Sequence, residues 1–192
     1  MDFAVRLFEE PKELHAEARQ KCEAAKQFYK QAVDVGADFF LMAYDFGYND
    51  APFISPAHFA EFVTPYLTEL VQSIHDLHRK VILHSDGCIT KILDQIHSTR
   101  VDGYQSVDPQ GHMDIKEVRE LYPDWILMGN VACNMLQSTD EQSIRESVRY
   151  CMNYGGVGKR YIFSTSNCIF RGMPPESYRM MLDEYSRILA DR

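Results

Sequence analysis

At 192 residues, 45% of them hydrophobic, the chain can bury a sizeable core and is expected to form a single globular domain over residues 1–192. A net charge of −8 with no basic stripe excludes a nucleic-acid surface. No apolar run approaches the roughly 20 residues of a membrane helix, and the opening MDFAVRLFEEPKEL is acidic where a signal peptide would be basic, so a cytoplasmic location is expected.

Residues Pro11 to Val35 carry Leu14, Ala18, Cys22, Ala25 and Phe28 at helical spacing, and Gly36 ends that helix. The apolar run Ala37 to Tyr44 reads as a strand buried on both faces. A loop with Asn49 and Pro52 leads to a helix from Pro56 to His78 and a second strand, Lys80 to His84. The alternation continues with helix Thr90 to Ser98, strand Gly103 to Val107, helix Asp114 to Leu121 and strand Trp125 to Asn130. Helix Thr139 to Tyr154, strand Arg160 to Ser164 and helix Pro175 to Ala190 close the series.

Strands alternating with helices and lacking hairpin signals specify an α/β fold with a parallel sheet and right-handed crossovers. A closed TIM (β/α)8 barrel needs eight such units and about 250 residues, so five units leave an open α/β layer or the C-terminal part of such a barrel, and the partial barrel is the expectation. The chain lacks the glycine-rich phosphate loop of a doubly wound fold. A partial barrel exposes parallel edges, which invites pairing with another chain and homo-oligomers.

In such a barrel the residues just past the strand ends share one mouth. The first strand ends on Tyr44-Asp45-Phe46-Gly47, the second on His84-Ser85-Asp86-Gly87 and the fifth on Ser164-Thr165-Ser166-Asn167-Cys168. His84 with a carboxylate two positions on suits metal binding or acid–base work, against a plain hydrogen-bonded strand-end histidine. Asp86 is a ligand or catalytic acid–base candidate, or else a turn residue with Gly87. Cys168 lies near Arg171, whose charge favours a thiolate; the alternative is a buried free thiol. Asp45 is a catalytic or substrate-binding candidate, or a ligand to a second metal, against a loop aspartate that caps Gly47 or Asn49. Tyr44, Gln105 and Asn130 are substrate-binding candidates in the mouth beside Asp108, although Asn130 better suits holding its own loop by backbone hydrogen bonds. His58, His75, His78 and His97 fall on helices or helix ends, with no acidic or sulfur partner at an obvious strand-end position, and read as surface residues. The five cysteines form an odd set without CxxC spacing, which favours reduced thiols. Of these, Cys88 is a substitute sulfur ligand or simply the start of the next helix.

Further segments carry a family resemblance: Ala51-Pro52-Phe53-Ile54-Ser55-Pro56 before a helix, Val81 to Gly87, Trp125 to Val131, Leu136 to Glu141, and Gly172-Met173-Pro174-Pro175-Glu176-Ser177. In that order and spacing the chain resembles the uroporphyrinogen decarboxylase superfamily, which includes cobalamin-dependent methyltransferases that methylate thiols. The resemblance implies a zinc site of a His-x-Cys pair plus a later Cys. Here His84 and Cys168 match, while Asp86 stands in place of the first Cys. It further implies a zinc-activated thiol as small-molecule substrate and a methyl-corrinoid delivered by a partner protein. Decarboxylation of a porphyrinogen, with Arg171 as the evident arginine at the mouth, is the alternative within the superfamily. A non-catalytic barrel fragment is the alternative outside it.

Overall fold

The computed structural model describes residues 3–156 and 160–191. Helix α1 (Phe3–Glu9) and helix α2 (Pro11–Asp34) precede strand β1 (Phe39–Ala43). Next come α3 (Pro56–Phe62), α4 (Thr64–His75) and β2 (Lys80–His84), then α5 (Leu93–Ser98), β3 (Gly103–Ser106) and α6 (Ile115–Leu121). β4 (Ile126–Val131), α7 (Glu141–Tyr150), β5 (Tyr161–Thr165) and α8 (Pro175–Ala190) complete the order. The five strands form one sheet in the order β1-β2-β3-β4-β5, every neighbouring pair parallel. The α/β partial barrel expected from the alternation is the observed fold.

The helical boundaries follow local chemistry. Ser55 caps α3 by accepting from the His58 N–H, Asp114 caps α6, and Asp140 caps α7 through Ser143. The single helix expected over 56–78 is instead two, separated at Val63. Pro65 has no N–H to give and its ring crowds the preceding turn, so the chain restarts there with Pro65 in the first turn of α4. The helix expected to run to Tyr154 stops being α-helical at Tyr150 and continues as a π turn over Cys151–Gly155.

Alternation along the strands sorts the sheet into two faces. Phe40, Met42, Val81, Leu83, Tyr104 and Leu127 turn to the helices and join the larger core. A second cluster of Val131, Ile144, Val148, Cys151 and Met181 packs between β4, α7 and α8. The opposite face is concave and partly open: Phe39 is 49% and Leu41 45% exposed. Strand β1 is therefore not buried on both faces as its apolar run suggests, because the five strands do not close over that concave side.

Candidate functional site

The strand ends are pinned together by backbone packing. Gly87 has φ +76, a conformation that a side chain resists, and a Cβ there would come within 2.4 Å of the Gly47 carbonyl oxygen. The loop after β3 presses on the same point, since a Cβ on Gly111 would lie 2.3 Å from the Gly87 carbonyl carbon. The Gly87 N–H donates to Asp108 Oδ2 at 3.1 Å, and the Phe46 N–H donates to Ser85 Oγ at 3.0 Å. The loops after β1, β2 and β3 thus pack into one continuous rim.

On this rim Asp45, His84 and Asp86 each present one donor atom within 4.8 Å of the other two. His84 Nε2 lies 3.4 Å from Asp45 Oδ1 and 3.9 Å from Asp86 Oδ2. The Asp86 N–H donates to Asp45 Oδ1 at 3.3 Å. Asp86 Oδ1 accepts from Ser106 Oγ at 2.6 Å, and Oδ2 accepts from the Asn167 side-chain amide. Burial pushes the Asp86 carboxyl above the usual range, with Asp108 and Asp45 adding and the Ser106 hydroxyl and His84 opposing. Behind the imidazole, buried Gln105 meets His84 Nδ1 through Oε1 and donates from Nε2 to the Ser166 carbonyl at 3.0 Å.

A cavity of about 310 Å3 opens beside this cluster, lined by Leu41, Ala43, His84, Gln105, Met128, Ser164, Thr165, Asn167 and Cys168. It sits at the carboxyl ends of the strands, where barrel enzymes place their chemistry. A larger recess of about 680 Å3 lies at the opposite end, around Lys80, Asp102, Trp125 and Arg160. That end belongs to the stability of the fold: buried Arg119 there donates to the carbonyls of Trp125 and Arg160 at 2.7 and 2.8 Å, tying the starts of β4 and β5.

The sequence candidates separate on this geometry. His84, Asp86 and Asp45 converge, and Gln105 stands behind them. Cys168 lines the same cavity, but its sulfur is not among the clustered donor atoms, and Asp45 takes its place in the trio. Tyr44 is corrected: alternation past Ala43 turns it to the helix side, where it lines an apolar recess with Cys22, Phe62 and Tyr66. Asn130 also leaves the mouth, since its amide donates to the Val107 carbonyl at 2.9 Å and its Oδ1 accepts from Cys151 Sγ. Holding the loop is its observed role. Arg171 is exposed in the turn before α8 and does not line the cavity. Cys88 contacts Thr90 and stays outside the cluster.

Ser106 and Asn167 were not legible as Asp86 partners. Ser106 follows Gln105, so alternation assigns it to the far face; at φ +91 the backbone leaves the strand and the hydroxyl reaches the mouth. Asn167 stood within the polar run ending β5, the one available signal.

The trio fits a divalent cation. Two carboxylates and an imidazole are ordinary zinc donors, and ligand atoms about 2.1 Å from a tetrahedral zinc lie about 3.4 Å apart. The 3.4 Å between His84 Nε2 and Asp45 matches that spacing, and a cation would relieve the repulsion between Asp45 and Asp86. Such a set is harder than a thiolate-rich one, which favours oxygen- and nitrogen-loving divalent metals.

Known proteins agree with this architecture. A methyltransferase from Methanosarcina mazei superposes with a TM-score of 0.72 at 20% identity, over 88% of this chain and 47% of that one. That likeness concerns the fold. Over 174 residues the chain is 28% identical to a chloroplastic uroporphyrinogen decarboxylase of Nicotiana tabacum, covering 89% of this chain and 42% of the relative. The chain thus spans less than half the length of either protein. The family model described as Uroporphyrinogen decarboxylase (URO-D) matches residues 1–188, and the chain belongs to that family.

Proposed function

We propose that this chain carries the metal-binding half of a cytoplasmic, methyltransferase-like URO-D barrel, with zinc held by Asp45, His84 and Asp86. The observation that carries the reading is the convergence of those three donor atoms at the strand ends, supported from behind by Gln105, Ser106 and Asn167. Bound zinc would supply Lewis acidity, lowering the pKa of a coordinated thiol so that a thiolate is available at neutral pH. The methyl group would come from a methyl-corrinoid on a partner protein.

The chain's own residues define what can enter. Leu41, Ala43 and Met128 offer an apolar wall, and Ser164, Thr165 and Cys168 a neutral polar one, which suits a small uncharged or weakly charged thiol. Asp86 is held by two side-chain donors, so its carboxylate is oriented before any ligand arrives. The tobacco relative favours a carboxy-lyase as second reading. Against it, a carboxylate substrate would meet Asp45 and Asp86 and, among the described residues lining the cavity, no arginine or lysine.

Metal analysis of the purified protein tests the proposal. We expect near-stoichiometric zinc, lost in His84→Ala and Asp86→Ala and kept in Cys168→Ser. Folded protein that takes up no zinc would remove the thiol-activating mechanism and leave the carboxy-lyase reading or a non-catalytic fragment. Zinc-loaded protein can then be assayed for thiol methylation from methylcobalamin.

A further inference from the structure

We propose that Gln105 is a positioning residue that commits the His84 ring proton to Nδ1 and so keeps Nε2 as a bare donor atom facing Asp45 and Asp86. The proposal rests on reading that trio as a cation site, but its geometry stands apart from any metal. Gln105 lies on β3 directly across from His84 in the β2–β3 register and is almost fully buried. The two ends of its amide look alike in shape and are told apart by their partners. Its Nε2 end is 3.0 Å from the Ser166 carbonyl, which can only accept, so that end must be the NH2 group. The other end is therefore the amide oxygen, which also only accepts, and it lies against His84 Nδ1. A neutral imidazole holds one ring proton, and this contact requires it on Nδ1. Nε2 is left with its lone pair, between two carboxylates at 3.4 and 3.9 Å.

The carbonyl that sets this chain of partners is itself fixed. Ser166 is buried, and its N–H donates to the Val131 carbonyl at 2.9 Å, continuing the β4–β5 ladder past its last strand residues. The state of the His84 ring is thereby set from the far side of the sheet, through β5, β3 and β2. This is the arrangement by which an outer partner fixes the tautomer of a metal-ligating histidine. Replacing Gln105 by leucine would strand the Ser166 carbonyl and the Nδ1–H, and would free the ring to carry its proton on Nε2, where Asp45 can accept it.

The direct test is nitrogen NMR of the imidazoles in metal-free protein at alkaline pH, where an ordinary imidazole is neutral, with His84→Ala identifying the His84 signals. We expect a protonated Nδ1 and an unprotonated Nε2 in the wild type and in Gln105→Glu, which keeps an acceptor at the same place. Gln105→Leu should shift the ring toward the Nε2–H form and weaken binding of Zn2+ alone by about 10- to 100-fold. A wild-type His84 protonated on Nε2 would overturn the proposal, as would a Gln105→Leu protein with unchanged tautomer and zinc affinity. Should Gln105→Leu not fold, the wild-type and Gln105→Glu spectra decide. An Nδ1–H tautomer in a protein that takes up no zinc would refute the cation reading and leave the positioning role standing.

Discussion

Asp86 and Gly87 are adjacent residues with opposite demands, and the rim depends on both. Asp86 needs a partly buried carboxylate held by Ser106 and Asn167, while Gly87 needs a backbone that turns at φ +76 under the Gly47 carbonyl. Gly87→Ala should cost about 2 kcal/mol or more, because the left-handed conformation and the 2.4 Å approach both resist a Cβ. Thermal melts would read the stability loss. Zinc titration should show weakened binding as well, since any relief of the overlap moves Asp86. Full affinity in a destabilised Gly87→Ala protein would show that the rim does not position the ligands. At this scale chemistry and strand-end position single out His84 and Asp86 in the sequence, and the structure brings the two side chains together. Sequence reasoning failed for Tyr44, whose side is set by one step of alternation past the strand, and for Ser106, whose placement depends on a backbone angle that no residue type announces.

Between elements, α7 and α8 are joined by a charge cluster around Glu184, which is fully buried and meets Arg145, Arg149 and Arg187 at 3.1, 2.6 and 2.8 Å. Burial alone would raise its carboxyl. The hydrogen bonds from Arg187, Arg149 and Arg145 outweigh that and hold it at about 2. A carboxyl lowered by folding stabilises the native state above its ordinary value near 4.5 and loses that contribution as pH falls toward 2. The wild type should therefore lose stability on acidification through this window, and Glu184→Gln should show a flatter profile in chemical denaturation at pH 5 and pH 3. At neutral pH the same substitution should cost about 2 kcal/mol, less than a fully buried pair, because Arg149 and Arg187 are half open to water. An unchanged acid profile would mean that the cluster is energetically idle. Helix α8 was read from the sequence at its observed bounds because Pro175 starts it and its apolar spacing persists. The break at Val63 and the π turn after Tyr150 were not, since both interrupt patterns that otherwise continue.

For the whole molecule, the two core clusters are not separate bodies: Tyr161 packs against both. A single cooperative unfolding transition is expected, with the fluorescence of buried Trp125 and far-ultraviolet circular dichroism coinciding; two separated transitions would divide the chain. The sheet's edge strands β1 and β5 and the open concave face carry Phe39, Leu41 and Ile162 partly in water. Self-association through those edges is the expected consequence. Sedimentation velocity over a range of concentrations should show it, and Phe39→Lys with Ile162→Lys should reduce it; a monomer at every concentration would set the idea aside. Among the described residues no helix is long and apolar enough to cross a membrane.

What the sequence determined by itself was the alternation of five strands with helices, their parallel order and the strand ends on which chemistry could sit. Those are consequences of local periodicity and of the handedness of crossovers, which each segment carries on its own. The tertiary structure alone decided which strand-end residues meet. Asp45 replaced Cys168 beside His84 because loop packing through Gly47, Gly87 and Gly111 brings the β1 and β2 ends together, while the Cys168 sulfur lies outside their donor cluster. Contacts between residues 41 positions apart, such as Asp45 and Asp86, depend on how two loops pack in space, and nothing in either loop's own pattern encodes the other's position.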